Sequence, residues 1–372
     1  MTDLYCSMIH GGLELNFKSS DQARVQHCCM RSNAFEIDTN TDVWNNNNFI
    51  PLREKNKTNT WDPGCSNCQR LEAAGYASMR TGMNDGLAIA GKTELSGPAR
   101  IDLMFDISCN LACRTCGTHS STFWQKHLKE NNLWARPIFR PQHSHEVIHR
   151  LQQLDLSNLR QVVFCGGETL LGQEYWNVAN WFADNVPNAK KQLTVCFQTN
   201  GTQSILEKNH SIIEKLFLIK LHISLDGVEE QFEYLRWPAS WSQVTQNIFN
   251  LKETSPSNVM FLIEETISIF NFAYTSRLEQ WISKNLTTNR EGDQVNHTRH
   301  LARGIFGLHN LTEQYIQAMS DTPFKNLIAP NLLANPRQIK RMLDQIDQHD
   351  QLRGQSFAVV FPEVAEYYKQ YI

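Results

Sequence analysis

Five extended runs, at 100–108, 161–168, 193–201, 219–227 and 259–271, dominate the middle of the chain, and each finishes on glycine or polar residues. Helical periodicity fills stretches between them, near 145–154, 205–217 and 241–254. Strand and helix in alternation leave one economical arrangement, a parallel sheet joined by right-handed crossovers. The polar and glycine tails all fall at the carboxyl ends of the strands, where parallel barrels carry their sites. In the first run Ile101, Leu103, Phe105 and Ile107 alternate with mostly polar residues, the period of a strand with one buried face.

Strand parity carries this further. In the fourth run Lys220, His222, Ser224 and Asp226 share one face, and Ile219, Leu221, Ile223 and Leu225 share the other. Thr194, Cys196, Gln198 and Asn200 oppose Leu193, Val195 and Phe197 in the third run. Glu264, Thr266 and Ser268 oppose Ile263, Ile267 and Ile269 in the fifth. Helices must cover the apolar faces, so the polar faces are predicted to line a hydrated lumen. A full barrel packs that space with apolar side chains instead. His222 and Glu264 are the catalytic candidates, deep in this lumen and facing a substrate. The competing reading makes them satisfied internal polar groups.

The loop after the first run is Cys109-Asn110-Leu111-Ala112-Cys113-Arg114-Thr115-Cys116. Three thiolates are too few for a closed zinc site, which takes four protein ligands. They suffice to hold three irons of a [4Fe–4S] cube and leave the fourth iron open to a small molecule. The second run ends in Gly166-Gly167-Glu168. Its glycines let another group approach the main chain closely, and Glu168 offers an acceptor to an ammonium.

Five further cysteines, Cys6, Cys28, Cys29, Cys65 and Cys68, precede the first run, in a region rich in Asn, Thr and Ser. Such a stretch struggles to fold on burial alone; cysteines holding a metal would supply the missing stability. A zinc knob with four thiolate ligands remains open as the alternative to a cluster.

The cysteine loop, Gly166-Gly167-Glu168 about fifty residues later, Thr199-Asn200-Gly201 and Ser224-Leu225-Asp226-Gly227 together resemble the radical S-adenosylmethionine (radical SAM) superfamily. The cysteine-rich start resembles that superfamily's SPASM and twitch auxiliary-cluster modules. The likeness extends to Trp44-Asn45-Asn46-Asn47, Leu52-Arg53, Glu72, Gly75, Ser78 and Arg80. The resemblance implies an α/β fold: a partial (β/α)6 TIM-like barrel with a small cysteine-rich N-terminal cluster-binding module and a helical C-terminal extension. The expected boundaries are 1–95, 96–306 and 307–372. It implies a [4Fe–4S] cluster with an open iron on Cys109, Cys113 and Cys116. A second [4Fe–4S] cluster falls to Cys6, Cys28, Cys65 and Cys68, with Cys29 the rival of Cys28. S-adenosylmethionine would be held by Gly166, Gly167 and Glu168 and lined by Asn200, Ser224 and Asp226. Arg236 would pair with its carboxylate. Two positions depart from the family pattern: Thr169 replaces the usual proline, and Thr115 replaces an aromatic residue that packs on adenine.

The activity implied is reductive cleavage of S-adenosylmethionine to a 5′-deoxyadenosyl radical, which abstracts hydrogen from a peptide or other polar small substrate. An external electron donor such as flavodoxin or ferredoxin is implied as partner. A net charge of −3 argues against a general grip on nucleic acid or membrane. No apolar run approaches the roughly eighteen residues of a membrane span, and the first residues lack the order of a signal peptide. The expectation is a cytoplasmic protein. The alternative is a zinc-stabilised binding protein that does not cleave S-adenosylmethionine. Beyond the barrel, helices are predicted near 274–284 and from Pro336 to about Gln348, with a last one starting at Pro362. A sixth strand is needed between 293 and 306.

Overall fold

The computed structural model describes residues 4–371 except 20, 74, 88, 90, 134–140, 204–208, 287–294, 303 and 319–334. Nine strands form one sheet: β1 (Gly12–Phe17), β2 (Gln22–Gln26), β3 (Phe35–Asp38), β4 (Arg100–Met104), β5 (Gln161–Phe164), β6 (Thr194–Thr199), β7 (Leu218–Ser224), β8 (Val259–Ile267) and β9 (His297–Leu301). Their order is β3-β2-β1-β4-β5-β6-β7-β8-β9. Strands β4 to β9 run parallel in sequence order, the partial six-stranded barrel. Among the described residues no pairing joins β9 to β3, so the barrel is open along one side.

An apolar row holds the wall together. Leu103, Phe164, Phe197, Leu221 and Phe261 stand in register across β4 to β8, and all are nearly or fully buried. The helix Glu174–Asn185 covers part of it, with the Trp176 ring 4.5 Å from that of Phe197. Each such buried side chain contributes about 1.5–3 kcal/mol. On β7 burial alternates as parity requires: Ile219, Leu221 and Ile223 are buried, and Lys220, His222 and Ser224 are half-buried.

The structure departs from the sequence expectations in several places. The first run stops pairing at Met104, because the Asp106 carboxylate takes the Ser108 amide and hydroxyl, each at 2.8 Å, and turns the chain. The fifth run stops at Ile267, where Asn271 Oδ1 accepts from the Ser268 amide at 2.8 Å. The polar face of β8 starts late, since Met260 and Leu262 precede Glu264 on it. Its apolar face includes Glu265, 1% exposed, ion-paired with Arg299 at 3.1 Å and with His297 Nε2 also 3.1 Å away. The sixth strand is β9. The helix expected from 205 is found as His210–Ile213; residues 205–208 lie outside the described residues.

The first hundred residues hold more regular structure than expected. Strand β1 pairs parallel with β4, and the β2–β3 hairpin extends the sheet antiparallel beyond it. One hydrophobic cluster runs from Cys6 to Val295, so this segment shares the barrel's core. A second gathers Tyr234, Phe270, Phe272 and Phe306 with Ile339, Met342, Phe361 and Tyr368. Its main helix, Pro336–Arg353, is longer than predicted. Asn335 caps its start by accepting from the Gln338 amide, and Gly354, at φ 62°, ends it. Among the described residues no helix is long and apolar enough to cross a membrane.

Candidate functional site

The cysteine loop leaves the carboxyl end of β4 and is fixed by hydrogen bonds from several directions. The Ala112 amide donates to the Trp237 carbonyl and the Arg114 amide to the Leu235 carbonyl, both at 2.8 Å. The Ser121 hydroxyl donates to the Leu111 carbonyl at 2.6 Å and caps the helix Thr122–Glu130 by accepting from the Trp124 amide. The Trp124 indole N–H donates to the Cys113 carbonyl at 2.9 Å. Ser121 and Trp124 thus brace the loop.

The other strand-end motifs converge on the same place. The Glu168 amide donates to the Ser108 carbonyl at 2.8 Å. Its carboxylate accepts from the Asn200 amide at 2.6 Å, the Thr199 hydroxyl at 2.7 Å and the Leu170 amide at 3.0 Å. Burial pushes the Glu168 carboxyl up to about 7, against the pull of those bonds. The Asn200 side-chain N–H donates to Asn110 Oδ1 in the cysteine loop at 2.9 Å. Thr-Asn-Gly, Gly-Gly-Glu and the loop therefore form one network.

The two glycines admit the chain's own backbone. A side chain at Gly166, with φ 133°, would meet the Asp106 carbonyl at 2.4 Å, and one at Gly167 would meet the Ser108 carbonyl at 2.2 Å. Their absence of Cβ lets β5 end flush against the segment that leads into the cysteine loop.

At the end of β7, Asp226 Oδ1 accepts from the Thr266 amide at 2.8 Å, and Arg236 lies 2.9 Å from Asp226 Oδ2. Arg236 Nη1 stands 4.0 Å from Cys113 Sγ. The arginine is thus seated beside the loop with Asp226 as its anchor. Ser224 is half-buried on the lumen face, in register with Glu264. His222 lies one layer below and Glu264 level with Ser224, so of the two catalytic candidates only His222 is deeper. They meet through His222 Nδ1 and Glu264 Oε1 at 2.7 Å. Burial opposes charge on the imidazole, but Cys196 and Glu264 outweigh it and raise His222 to about 9. Glu264 is drawn down to about 2, against its burial, by His222 and His300.

As free thiols the loop's cysteines are held neutral, beside cations with N–H groups that lack partners among the described residues. Burial pushes the Cys109 and Cys116 thiols up to about 12 and raises Cys113. Arg236 Nε and Arg353 Nε and Nη1 are buried beside this loop with no hydrogen-bond partner among the described residues. Thiolates held by iron would supply the charge these donors lack.

The N-terminal cysteines line one small cavity, in which Cys6, Cys28, Cys65 and Cys68 meet His27, Arg31, Asp62 and Arg80. Cys29 is not among its lining residues. Its environment includes Asp102 and Glu14, on the lumen side of β4 and β1. Among the described residues no three His, Cys, Asp or Glu side chains converge as a single metal ion requires. Of the module's flanking residues Arg80 lines the cavity, and the others brace one another behind it. Glu72 holds Arg80 and the Ser78 hydroxyl, Arg80 Nη1 donates to the Tyr5 carbonyl at 2.9 Å, and Arg53 lies 4.0 Å over the Trp44 ring.

Sequence reasoning missed the far side of the loop. Arg114, 1% exposed, is ion-paired with Asp350 and donates to Gln355 Oε1 at 2.9 Å, with its guanidinium 3.6 Å over the Tyr234 ring. Arg353 Nη2 donates to the Ala112 carbonyl at 2.8 Å. The only signal was an arginine within a buried loop, which requires a carboxylate somewhere. His300, 3.7 Å from Glu264, lies on the expected sixth strand but was not singled out.

Fold and site together define an α/β protein whose open parallel barrel carries a three-thiol loop at its carboxyl-terminal rim. No protein-family profile matches the chain, and no curated protein matches it by sequence. Among solved structures it is similar to anSMEcpe with bound AdoMet and Cp18Cys peptide, at 17% identity over 68% of this chain and 61% of that one, TM-score 0.38. It is similar to Streptococcus suis SuiB bound to precursor peptide SuiA, at 12% identity over 89% and 60%, TM-score 0.40. The chain spans less than two thirds of the length of these two structures. At such TM-scores the likeness supports no assignment of function.

Proposed function

We propose that the chain is a radical SAM enzyme, with a [4Fe–4S] cluster on Cys109, Cys113 and Cys116 and a second on Cys6, Cys28, Cys65 and Cys68. The observation that supports this most is convergence: the three-thiol loop, Glu168, Asn200 and the Asp226–Arg236 pair meet at the carboxyl ends of four consecutive parallel strands. When bound, the reduced loop cluster supplies the electron that splits S-adenosylmethionine into methionine and a 5′-deoxyadenosyl radical.

The chain's own residues bind, orient and exclude water. Gly166 to Glu168 present backbone to the methionine end, Arg236 offers a guanidinium to its carboxylate, and Asn200, Ser224 and Asp226 line that end of the lumen. Near neutral pH His222 carries a proton on both ring nitrogens, the Nδ1 proton shared with Glu264, and the pair faces a peptide or other polar small substrate. An external flavodoxin or ferredoxin is the electron source in this reading.

The test is anaerobic reconstitution with iron and sulfide, then dithionite and S-adenosylmethionine, with 5′-deoxyadenosine quantified by mass spectrometry. Product from the wild type and none from Cys109→Ala supports the reading. A protein loaded with iron at both sites that forms none overturns it.

A further inference from the structure

The helix Pro336–Arg353 ends against the cysteine loop, and its last turn carries Asp350 and Arg353. Arg353 reaches Ala112, the residue before Cys113, through the 2.8 Å bond from Nη2. Its guanidinium lies 4.5 Å from the Trp124 ring centroid and 5.1 Å from that of Trp237, so two indoles frame it. Both indoles belong to the loop's own supports, since the Trp124 N–H holds the Cys113 carbonyl and the Trp237 carbonyl holds the Ala112 amide.

A guanidinium has five N–H donors. Arg353 spends Nη2 on Ala112, while Nε and Nη1 are buried without a hydrogen-bond partner among the described residues. The nearby carboxylate cannot serve them. Asp350 is committed to Arg114, to the Tyr234 hydroxyl at 2.9 Å and to the Phe357 amide at 2.6 Å. Asp226 is likewise committed to Arg236. A buried cation left this short of counter-charge is costly unless something negative stands beside it. The remaining neighbour is the cysteine loop itself.

We propose that Arg353 is a positioning residue for the loop cluster: it fixes the backbone between Cys109 and Cys113, and its charge raises the cluster's reduction potential. This rests on the radical SAM reading. A cation favours the reduced, more negative state of a neighbouring cluster, so removing it makes reduction harder. The carboxyl-terminal segment, which no sequence motif connects to the chemistry, thereby becomes part of the redox site.

Two variants separate charge from packing. Arg353→Met keeps an apolar stem between the indoles and loses the charge; Arg353→Lys keeps the charge and loses the planar fork. The measurement is an electron paramagnetic resonance redox titration of anaerobically reconstituted protein, with the loop cluster identified as the signal that changes on adding S-adenosylmethionine. For Arg353→Met the reduced-to-oxidised ratio at the wild-type midpoint is expected to fall tenfold, about 59 mV for one electron. Arg353→Lys is expected to recover most of that shift. An unmoved midpoint in iron-loaded Arg353→Met overturns the proposal, and so does an equal shift in both variants. Should Arg353→Met not hold iron, Arg353→Lys decides: a midpoint near wild type supports the proposal, and a tenfold displacement overturns it. A wild type with no signal responsive to S-adenosylmethionine overturns the enzyme reading, and this inference with it.

Discussion

Replacing Asp350 with alanine is the sharpest test of how the cysteine loop is held. Its carboxylate is the only one paired with Arg114 among the described residues, and Arg114 is 1% exposed. Breaking a buried pair by removing one partner costs about 3–5 kcal/mol, because the other charge stays buried. The Tyr234 hydroxyl and the Phe357 amide lose their acceptor too, each worth about 1 kcal/mol. Against this, Arg114 keeps Gln355 and the Tyr234 carbonyl, the latter at 3.2 Å, as acceptors. The expected loss is about 4 kcal/mol, read as a shift in the urea midpoint of reduced protein. Tryptophan fluorescence is the natural probe, since Trp124 and Trp237 flank the loop. Asp350→Asn keeps one acceptor oxygen and is expected to lose about half as much. Adding Arg114→Met to Asp350→Ala removes the stranded charge and should restore part of the stability. A loss below about 1 kcal/mol for Asp350→Ala, or a double variant weaker than that single one, would refute the reasoning.

Other outcomes follow from the same geometry. Cys28→Ser is expected to lose the iron of the N-terminal site while Cys29→Ser keeps it, measured as iron per chain after reconstitution; equal loss would return Cys29 to contention. Gly167→Ala drives a methyl toward the Ser108 carbonyl, 2.2 Å from where Cβ would stand. It should destabilise by about 1–3 kcal/mol and weaken S-adenosylmethionine binding in calorimetry. The His222–Glu264 pair gives a pH signature with a definite sign. The raised imidazole contributes fully below the unfolded pKa of about 6.5, and its contribution is lost as pH rises through about 9. The lowered carboxyl contributes fully above the unfolded value near 4.3 and loses its share as pH falls toward about 2. Urea midpoints should therefore decline between pH 7 and 9.5 in the wild type and decline less in His222→Asn.

The barrel was legible because its signal is local. Alternation on β7 and the glycines that follow β5, β6 and β7 specify a parallel sheet without reference to distant residues. The strand limits were less legible: Asp106 and Asn271 end β4 and β8 through side-chain turns that resemble further strand in an apolar count. Strand β1 escaped notice although Leu13, Leu15 and Phe17 alternate with Glu14 and Asn16, because the cysteines drew the reading toward metal. Glu265 contradicts simple parity, being buried on the apolar face by His297 and Arg299. The loop's clamp was out of reach in principle. Arg114 and Asp350 stand 236 residues apart, and no periodicity links an arginine in one motif to the last turn of a remote helix. That Cys28 and not Cys29 lines the N-terminal cavity depends on the direction of each thiol, which a vicinal pair does not reveal.

The parallel pairing of β1 with β4, from Gly12 opposite Arg100 to Asn16 opposite Met104, has a further consequence. Cys6 and Cys28 lie near the start of that ladder and Cys109 beyond its finish, and five pairs at the usual rise span about 13 Å. The two thiol sets are mounted at opposite ends of a single stiff rod. Were both sets to hold clusters, the length of this ladder would set the separation between them.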